Sequence, residues 1–428
     1  MTQSQKEISK KEPFKISPKI LLLFCIFIYF PTISISPTIS RVIEYGIPLC
    51  YLAVNYKAFK KLSKKTAHLL LLSLAIISLS ILTPIVHRTH DYSYIMTSTY
   101  IVRRIVVYAF LSLLIIKKYG AKAHINHFLY YFTLATSLYV IGTIVLVLLP
   151  GIKDLWFSIF SMSEQSRELL QSYGYTFRIG WIGFSGFRLT LRCAFCCIFL
   201  MYLYFSKEKN ISKKQFYCSY PICLLGTMFY GRSGLAVAII ASIFLLFSLN
   251  KQQVKKIKEF AIIPLVMMLA LFAIKDIPII QQWYNWFTKP FINLVTKGSF
   301  DNYSFNNTKQ MVYVPGVKTI LLGDGYYMQD GHYYQKTDSG VMRNILFWGI
   351  TGVILSYGAT LYSIVDIKKT NKPLFYAILV AIIVFEYKGE IYYEVLPFAT
   401  MAPLITDLAS NLAKHNNLIK SKNRRKTS

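Results

Sequence analysis

Long apolar stretches, separated by short segments rich in lysine, recur along the whole 428-residue chain. A helix needs about 20 predominantly apolar residues to cross about 30 Å of hydrocarbon. The stretches that approach this length cover residues 18–35, 42–56, 68–86, 94–116, 128–149, 189–205, 216–230, 233–249, 260–274, 341–365, 374–385 and 395–408. The sequence therefore predicts an all-α polytopic membrane protein with about twelve transmembrane helices, built as a single membrane domain over residues 1–428.

The composition supports this class and argues against a soluble protein. Hydrophobic residues make up 54% of the chain and charged residues only 16%, with a mean hydropathy of +0.42. The formal net charge of +29 would suggest a nucleic-acid partner in a soluble protein. Here the lysines cluster between apolar stretches, where they set the orientation of a membrane protein, so we expect no nucleic-acid partner.

The distribution of lysine and arginine predicts the topology, because short cytoplasmic loops carry an excess of these residues. With the N-terminus in the cytoplasm, every second connection is cytoplasmic, and these segments hold 30 of the 48 Lys and Arg residues. Both termini are then cytoplasmic. The two longest connections, 150–188 and 275–340, lie on the opposite side of the membrane. No small-residue cleavage site follows the first apolar stretch before Pro31, which predicts a retained first helix.

The first long connection contains apolar residues at helical spacing beside charged ones. Leu155, Trp156, Ile159 and Phe160 recur at helical spacing beside charged residues at 153, 154, 164 and 167, in the pattern of an amphipathic helix. We expect this helix to lie on the bilayer surface.

Cysteine and histidine patterns indicate neither disulfides nor a metal site. All seven cysteines fall within apolar stretches, as expected of buried small hydrophobic residues, and no histidine lies near them at ligand spacing. His87 and His90 lack a third ligand, and there is no glycine loop typical of nucleotide binding. The sequence thus predicts no metal and no cofactor.

Arginines are concentrated on the outer side and at outer helix ends, whereas the cytoplasmic loops use lysine almost exclusively. The outer set comprises Arg41, Arg88, Arg103, Arg104, Arg167, Arg178, Arg188, Arg192, Arg232 and Arg343. A planar guanidinium binds phosphate through two parallel hydrogen bonds, so this set suits a lipid diphosphate. The alternatives are contact with lipid phosphates or pairing with Glu44 or Asp91.

Three local segments combine arginine with glycine or carboxylate. Residues 178–192 hold three arginines and three glycines that lead into a helix, and residues 226–235 form a tight turn with Arg232 at its tip. Residues 323–344 bring Asp338, His332 and Arg343 just before a long apolar stretch. Helix capping by Asp338 and loop hydrogen bonding by His332 are the simpler alternatives to a catalytic role.

These segments carry a resemblance to a known family. The sequences RIGWIGFSG from Arg178, YGRSGL from Tyr230 and TDSGVMRNILFWGITG from Thr337 resemble stretches of bacterial O-antigen and capsular oligosaccharide-repeat-unit polymerases. The related O-antigen ligases share this architecture. The resemblance implies a C-type-glycosyltransferase-like fold of ten to fourteen spans with two large periplasmic loops in the bacterial inner membrane.

The family implies an enzyme, a glycosyltransferase that transfers a growing glycan from undecaprenyl diphosphate to a newly flipped lipid-linked repeat unit. Undecaprenyl-diphosphate-linked oligosaccharide and membrane lipids are the implied partners, with a chain-length regulator and a flippase as candidate protein partners.

For this reaction we expect arginines to bind the lipid diphosphate and Asp338 or His332 to accept the proton of the acceptor hydroxyl. The arginine candidates are Arg178, Arg188, Arg192, Arg232 and Arg343, with Arg103 and Arg104 in reserve. The alternatives are a ligase or a lipid-linked oligosaccharide flippase. A carrier of that kind is typically built from internal repeats and broken helices, which the sequence does not show.

Overall fold

The computed structural model describes residues 16–27, 33–34, 36–206, 211–246, 269, 272–273, 278–298 and 310–427. Its N-terminal half contains α1 (Pro18–Phe27), α2 (Pro37–Arg41), a π-helical turn (Val42–Gly46), α3 (Ile47–Val54), α4 (Lys64–His87), α5 (Ser93–Tyr119), α6 (Ile125–Leu148), α7 (Pro150–Ile159), α8 (Glu164–Ser172), β1 (Ile179–Gly180), β2 (Gly183–Phe184) and α9 (Phe187–Phe205). The C-terminal half contains α10 (Lys213–Tyr230), α11 (Arg232–Leu246), α12 (Pro278–Lys297), α13 (Val317–Leu322), β3 (Met328–Gln329), β4 (His332–Tyr333), α14 (Gly340–Ile364), α15 (Ile367–Thr370), α16 (Lys372–Lys388) and α17 (Tyr392–Thr427).

The all-α membrane class is confirmed. Within the described residues, six helical segments are long and apolar enough to cross a bilayer: Lys64–His87, Ser93–Lys122, Ile125–Leu148, Phe187–Phe205, Gly340–Thr370 and Tyr392–Lys414. Five other predicted spans coincide with α1, α3, α10, α11 and α16, which are shorter or less apolar. The predicted span at 260–274 falls almost entirely outside the described residues. The total of twelve stays a prediction.

Local signals start and stop the long helices. The Ser63 hydroxyl accepts a hydrogen bond from the Thr66 N–H at the start of α4, and Arg88 ends this helix in a left-handed conformation. Ser212 and Gln215 form a reciprocal capping box at the start of α10. Between these signals the helices pack as a bundle, in which α5 contacts α17 most extensively.

Consecutive long helices run antiparallel and so define two ends of the bundle. We call one the site end; it contains the connections 88–92, 149–186, 323–339 and 389–391 and the single residue Gly231. The other, the lysine end, contains the connections 55–63, 120–124 and 365–371. Contacts between segments far apart in the chain hold each end together. The Thr89 hydroxyl donates to the Gly325 carbonyl (2.8 Å) at the site end, and the Ser63 N–H donates to Asp407 Oδ2 (2.9 Å) at the lysine end.

Helix α14 is interrupted near the site end. Gly349 adopts φ +64° and ψ −161°, a backbone conformation that favours glycine. The break leaves carbonyl groups of the preceding turn without helical partners, and the segment after α13 supplies donors. The Asp324 N–H donates to the Leu346 carbonyl (2.6 Å) and the Gly325 N–H to the Phe347 carbonyl (3.1 Å). The connection 323–339 is thus hydrogen-bonded into the helix.

The predicted amphipathic helix in the first long connection is confirmed as α7, which exposes Leu155 while the Trp156 indole donates to the Trp181 carbonyl (2.8 Å). Its position on a bilayer surface stays a prediction. The expectation that all cysteines are buried is wrong for Cys50 and Cys218, which lie on outward-facing surfaces of α3 and α10. The other five are buried, and all seven are free thiols.

Candidate functional site

Three glutamates four residues apart, in and after the last turn of α16, are buried at the site end. Glu386, Glu390 and Glu394 are 3%, 2% and 8% exposed. We call residues 386–394 the glutamate turn. Buried carboxylates are stable only where hydrogen bonds or opposite charges compensate the loss of water, so their partners define the site.

The Glu386 carboxylate accepts hydrogen bonds from the backbone at the start of α17. Its Oε1 accepts the N–H groups of Ile391 (2.9 Å) and Tyr392 (2.7 Å), and its Oε2 accepts the Tyr357 hydroxyl (3.0 Å). These bonds use N–H groups that no helical carbonyl can reach. Glu386 therefore has a structural role in closing the turn between α16 and α17.

Glu390 is surrounded by phenols and one arginine. Tyr327 donates to Oε2 (2.8 Å), Tyr94 donates to Oε1, and Arg343 Nη1 lies 3.8 Å from Oε2. Burial raises the pKa of Glu390, and the Arg343 charge with the tyrosine hydrogen bonds opposes that rise. The carboxylate thus links α5, the 323–339 connection and α14.

The Arg343 guanidinium ties the 323–339 connection to the glutamate turn. Its Nε donates to the Thr337 carbonyl (3.3 Å) and its Nη2 to the Asp338 carbonyl (2.9 Å), and its Cζ lies 3.4 Å from the centre of the Tyr333 ring. Cation–π contact and charge-assisted hydrogen bonds both favour this arrangement. Most of its hydrogen-bonding capacity is therefore used within the protein.

Arg188 is paired with a buried carboxylate and is half exposed. Its Nε lies 3.5 Å from Glu394 Oε1, yet 52% of the side chain is exposed. Tyr100 donates to the same carboxylate oxygen (3.0 Å), and the guanidinium lies 5.1 Å from the Tyr100 ring and 5.4 Å from the Tyr393 ring. Of the predicted arginines whose side chains are described, Arg188 combines the firmest support with access from outside.

Arg104 and Arg103 lie three turns into α5. Arg104 is buried, 3.5 Å from Glu44 and 4.5 Å from the Tyr100 ring. This contact is the ion pair with Glu44 that the sequence analysis gave as an alternative to binding a lipid diphosphate. Arg103 donates to the Met96 carbonyl (3.3 Å) on its own helix.

Arg192, one turn after Arg188 in α9, points into the bundle. Its Nε donates to Thr136 Oγ1 (2.8 Å), and its Nη2 donates to the Cys25 carbonyl (3.4 Å). Together with Glu394 it lines an apolar cavity of about 50 Å³. The structure places this arginine beneath the glutamate turn, away from the outer surface.

Arg178 and Arg232 lie on neighbouring connections. Arg178, at φ +54°, precedes the β1–β2 hairpin; its N–H donates to the Phe229 carbonyl (3.3 Å) and its guanidinium lies 5.2 Å from the Tyr173 ring. Arg232 begins α11, and its side chain lies outside the described residues. Its backbone is placed by Thr190 of α9, whose hydroxyl donates to the Gly231 carbonyl (2.7 Å).

Close backbone approaches bring these segments together. A Cβ at residue 340 would lie 2.2 Å from Glu386 Oε2 and 2.6 Å from Glu390 Cα, and a Cβ at residue 389 would lie 2.8 Å from the Phe187 ring. Glycine at these two positions lets the starts of α9 and α14 contact the glutamate turn.

The predicted proton acceptors are both at the surface. His332 lies exposed on β4, and the Asp338 side chain is 60% exposed, 3.7 Å from Arg343 Nη2. Ser339 is the N-cap of α14, since its hydroxyl accepts the Met342 N–H (3.5 Å). The N-cap hydrogen bond thus comes from Ser339, and Asp338 lies one residue before it, near the positive end of the helix dipole. Among the described residues, no group of three or more His, Cys, Asp or Glu could hold a metal ion.

Sequence reasoning missed the glutamate turn, which it treated as a plain connection. The available signal was the spacing of three carboxylates at i, i+4 and i+8, at the end of an apolar stretch. Ionisable groups at the edge of hydrocarbon are costly and mark functional or structural centres.

Comparisons of the chain with models of known protein families, with curated proteins and with solved structures find no match.

Proposed function

We propose that this membrane protein polymerises undecaprenyl-diphosphate-linked oligosaccharide repeat units into O-antigen or a related surface polysaccharide. In this proposal it is a C-type-glycosyltransferase-like enzyme of the bacterial inner membrane, with both termini cytoplasmic and the site end periplasmic. The observation that carries the proposal is Arg188, whose half-exposed side chain pairs with the buried carboxylate of Glu394. It lies at the start of α9, which contacts the glutamate turn through Phe187 and Gly389.

The proposed reaction breaks the bond between the anomeric carbon of the growing glycan and the diphosphate. The acceptor hydroxyl forms the new glycosidic bond, its proton passes to a carboxylate or imidazole, and the lipid diphosphate leaves with the electron pair. A fixed arginine stabilises the charge that develops on the leaving group. Arg188 has this role, with Arg178 and Arg232 on adjacent connections, and Arg343 keeps the 323–339 connection in place.

Asp338 is the proposed proton acceptor. Its carboxylate is exposed next to Arg343, at the start of α14, where an incoming sugar can reach it. His332 is the second candidate. Proposed partners are the lipid-linked oligosaccharide itself, a chain-length regulator and a flippase that delivers the repeat unit.

Deletion of the gene in the producing bacterium tests the class of reaction. If the protein is the polymerase, the surface glycan should carry a single repeat unit, visible as one band in place of a ladder on a gel. A glycan with no repeat unit would indicate the flippase alternative, and polymer not attached to its final acceptor would indicate a ligase. Either of these outcomes, or an unchanged ladder, contradicts the proposal.

A further inference from the structure

The β3–β4 hairpin and the turn after it enclose a polar hollow at the site end. The hollow has a volume of about 240 Å³ and is lined by Gln329, Asp330, His332, Tyr333, Gln335 and Lys336. Pockets for drug-sized ligands usually measure about 300–1,000 Å³. The hollow is therefore suited to a smaller molecule.

The lining determines the chemistry of that molecule. It offers a carboxylate, an imidazole, two amides, an ammonium group and a phenol, and none of the six lining residues is aliphatic. Such a set both donates and accepts hydrogen bonds in many directions. It matches a ring that carries several hydroxyl groups.

The backbone around the hollow adopts conformations that cost free energy. Asp330 and Gly331 have φ +50° and +76°, as a tight two-residue hairpin turn requires. Gln335 and Lys336 follow at φ +55° and +53°, and for two consecutive residues with side chains this conformation is unfavourable. Strained positions of this kind persist where surrounding contacts hold them, and they cluster at ligand sites.

Those surrounding contacts are visible next to the hollow. The Tyr334 N–H donates to the Tyr327 carbonyl (2.9 Å), and the buried Thr337 hydroxyl donates to the Met311 carbonyl (2.9 Å). The rings of Tyr326 and Tyr334 stack at 5.3 Å. These contacts hold the backbone on both sides of the hollow.

Tyr333 connects the hollow to the arginine cluster. Its side chain helps to line the hollow, and the Arg343 guanidinium lies 3.4 Å from its ring centre. Arg343 in turn contacts Asp338 and Glu390. A sugar in the hollow would therefore lie close to the proposed proton acceptor.

We propose that this hollow is a subsite for one pyranose residue of the acceptor oligosaccharide, with Asp330 and His332 binding its hydroxyl groups. That the bound sugar belongs to the acceptor oligosaccharide rests on the proposed function. It assigns His332 to sugar binding and leaves Asp338 as the proton acceptor.

Saturation-transfer NMR on the full-length protein in lipid nanodiscs tests the subsite directly. The probes are the methyl glycosides of glucose, galactose, rhamnose and N-acetylglucosamine. At least one should receive saturation from the protein, and Asp330→Asn and His332→Ala should each reduce that transfer at least fivefold. The matched control is Asp154→Asn, an exposed carboxylate on α7, which should leave the transfer unchanged. No transfer to any of the four glycosides, or equal transfer in the Asp330 and His332 variants, would overturn the subsite.

The gene deletion separates this inference from the proposed function. Glycoside binding that depends on Asp330, combined with an unchanged glycan ladder after deletion, supports a sugar site and refutes the polymerase. A single-repeat phenotype, combined with glycoside binding that ignores Asp330 and His332, supports the polymerase and refutes this subsite.

Discussion

The two ends of the bundle handle charge in opposite ways. At the lysine end, Lys369 lies 2.9 Å from Asp366, with 80% and 48% of the two side chains exposed. At the site end, Arg343 and Glu390 form their pair with 10% and 0% exposed. Exposed pairs contribute at most about 1 kcal/mol, whereas removal of one partner from a buried pair costs about 3–5 kcal/mol. The comparison teaches that a single exposed charge at the lysine end contributes little to stability, whereas the buried charges of Arg343 and Glu390 at the site end depend on each other.

The largest expected effect is on activity. Arg188→Lys keeps the charge but loses the planar group that binds two oxygens at once, so under the proposed function polymerisation should fall about 100-fold or more. The rate is measured as glycan ladder formation in membrane vesicles supplied with lipid-linked repeat units, at matched protein levels. Lys369→Arg at the lysine end is the control and should polymerise normally. Normal polymerisation by Arg188→Lys would remove the difference between the two ends.

The next effect is on stability. Glu390→Ala leaves Arg343 without its buried partner and should lower the free energy of unfolding by about 3–5 kcal/mol. Lys369→Ala at the lysine end removes only an exposed partner of Asp366 and should cost at most about 1 kcal/mol. Denaturant unfolding in detergent, followed by tryptophan fluorescence, measures both. Equal losses in the two variants would show that burial does not distinguish the ends.

Two glycines of α14 sharpen the comparison within one helix. Gly340→Ala would force a methyl group against Glu386 and Glu390 and should destabilise the protein by about 1–3 kcal/mol. Gly358→Ala lies farther along the same helix, where the added methyl group would meet no neighbouring atom within 4 Å, and should stabilise the protein by about 0.5–1 kcal/mol. Thermal unfolding of both variants in the same detergent provides the test. If both substitutions shift the midpoint temperature of unfolding in the same direction, the close contacts at residue 340 do not determine stability.

The smallest effect depends on pH. Burial alone would raise the pKa of Asp91, but hydrogen bonds from Ser93 and from the N–H groups of Met328 and Tyr327 outweigh it and lower the pKa. Because the pKa of Asp91 is lower in the folded state, its carboxylate stabilises the docked 323–339 connection fully at pH values above the unfolded-state pKa of about 3.9. This contribution is lost as the pH falls through the lower pKa of the folded state.

Limited proteolysis of that connection measures the docking. Protection should be constant between about pH 5 and 8 and weaken only below about pH 4. Asp91→Asn should be cleaved faster throughout the upper range. A wild-type protein that loses protection already near neutral pH would contradict the role of Asp91.

The sequence predicted the parts of the fold that depend on local pattern. Apolar length identified α4, α5, α6, α9, α14 and α17, and the amphipathic spacing around Trp156 identified α7. These features need only hydropathy and periodicity, which neighbouring residues determine.

The composition of the site could not be predicted in the same way. Tyr94, Arg343 and Glu390 meet through packing between helices that are far apart in the chain, and local pattern contains no information on such pairing. Arg188 and Arg192 are likewise four residues apart, but their spacing does not reveal that Arg188 is half exposed at the start of α9 and that Arg192 is buried in the bundle. The spacing of the three glutamates was a readable signal, but their partners were not.

The interruption of α14 at Gly349 has a mechanical consequence. The N–H groups of Asp324 and Gly325 donate to the carbonyls that the break leaves without helical partners. The 323–339 connection and the first part of α14, up to Gly349, should therefore move as one unit. A chimera that exchanges the connection has to keep the backbone register of residues 324–325 against residues 346–347, so residues 323–349 are best exchanged together.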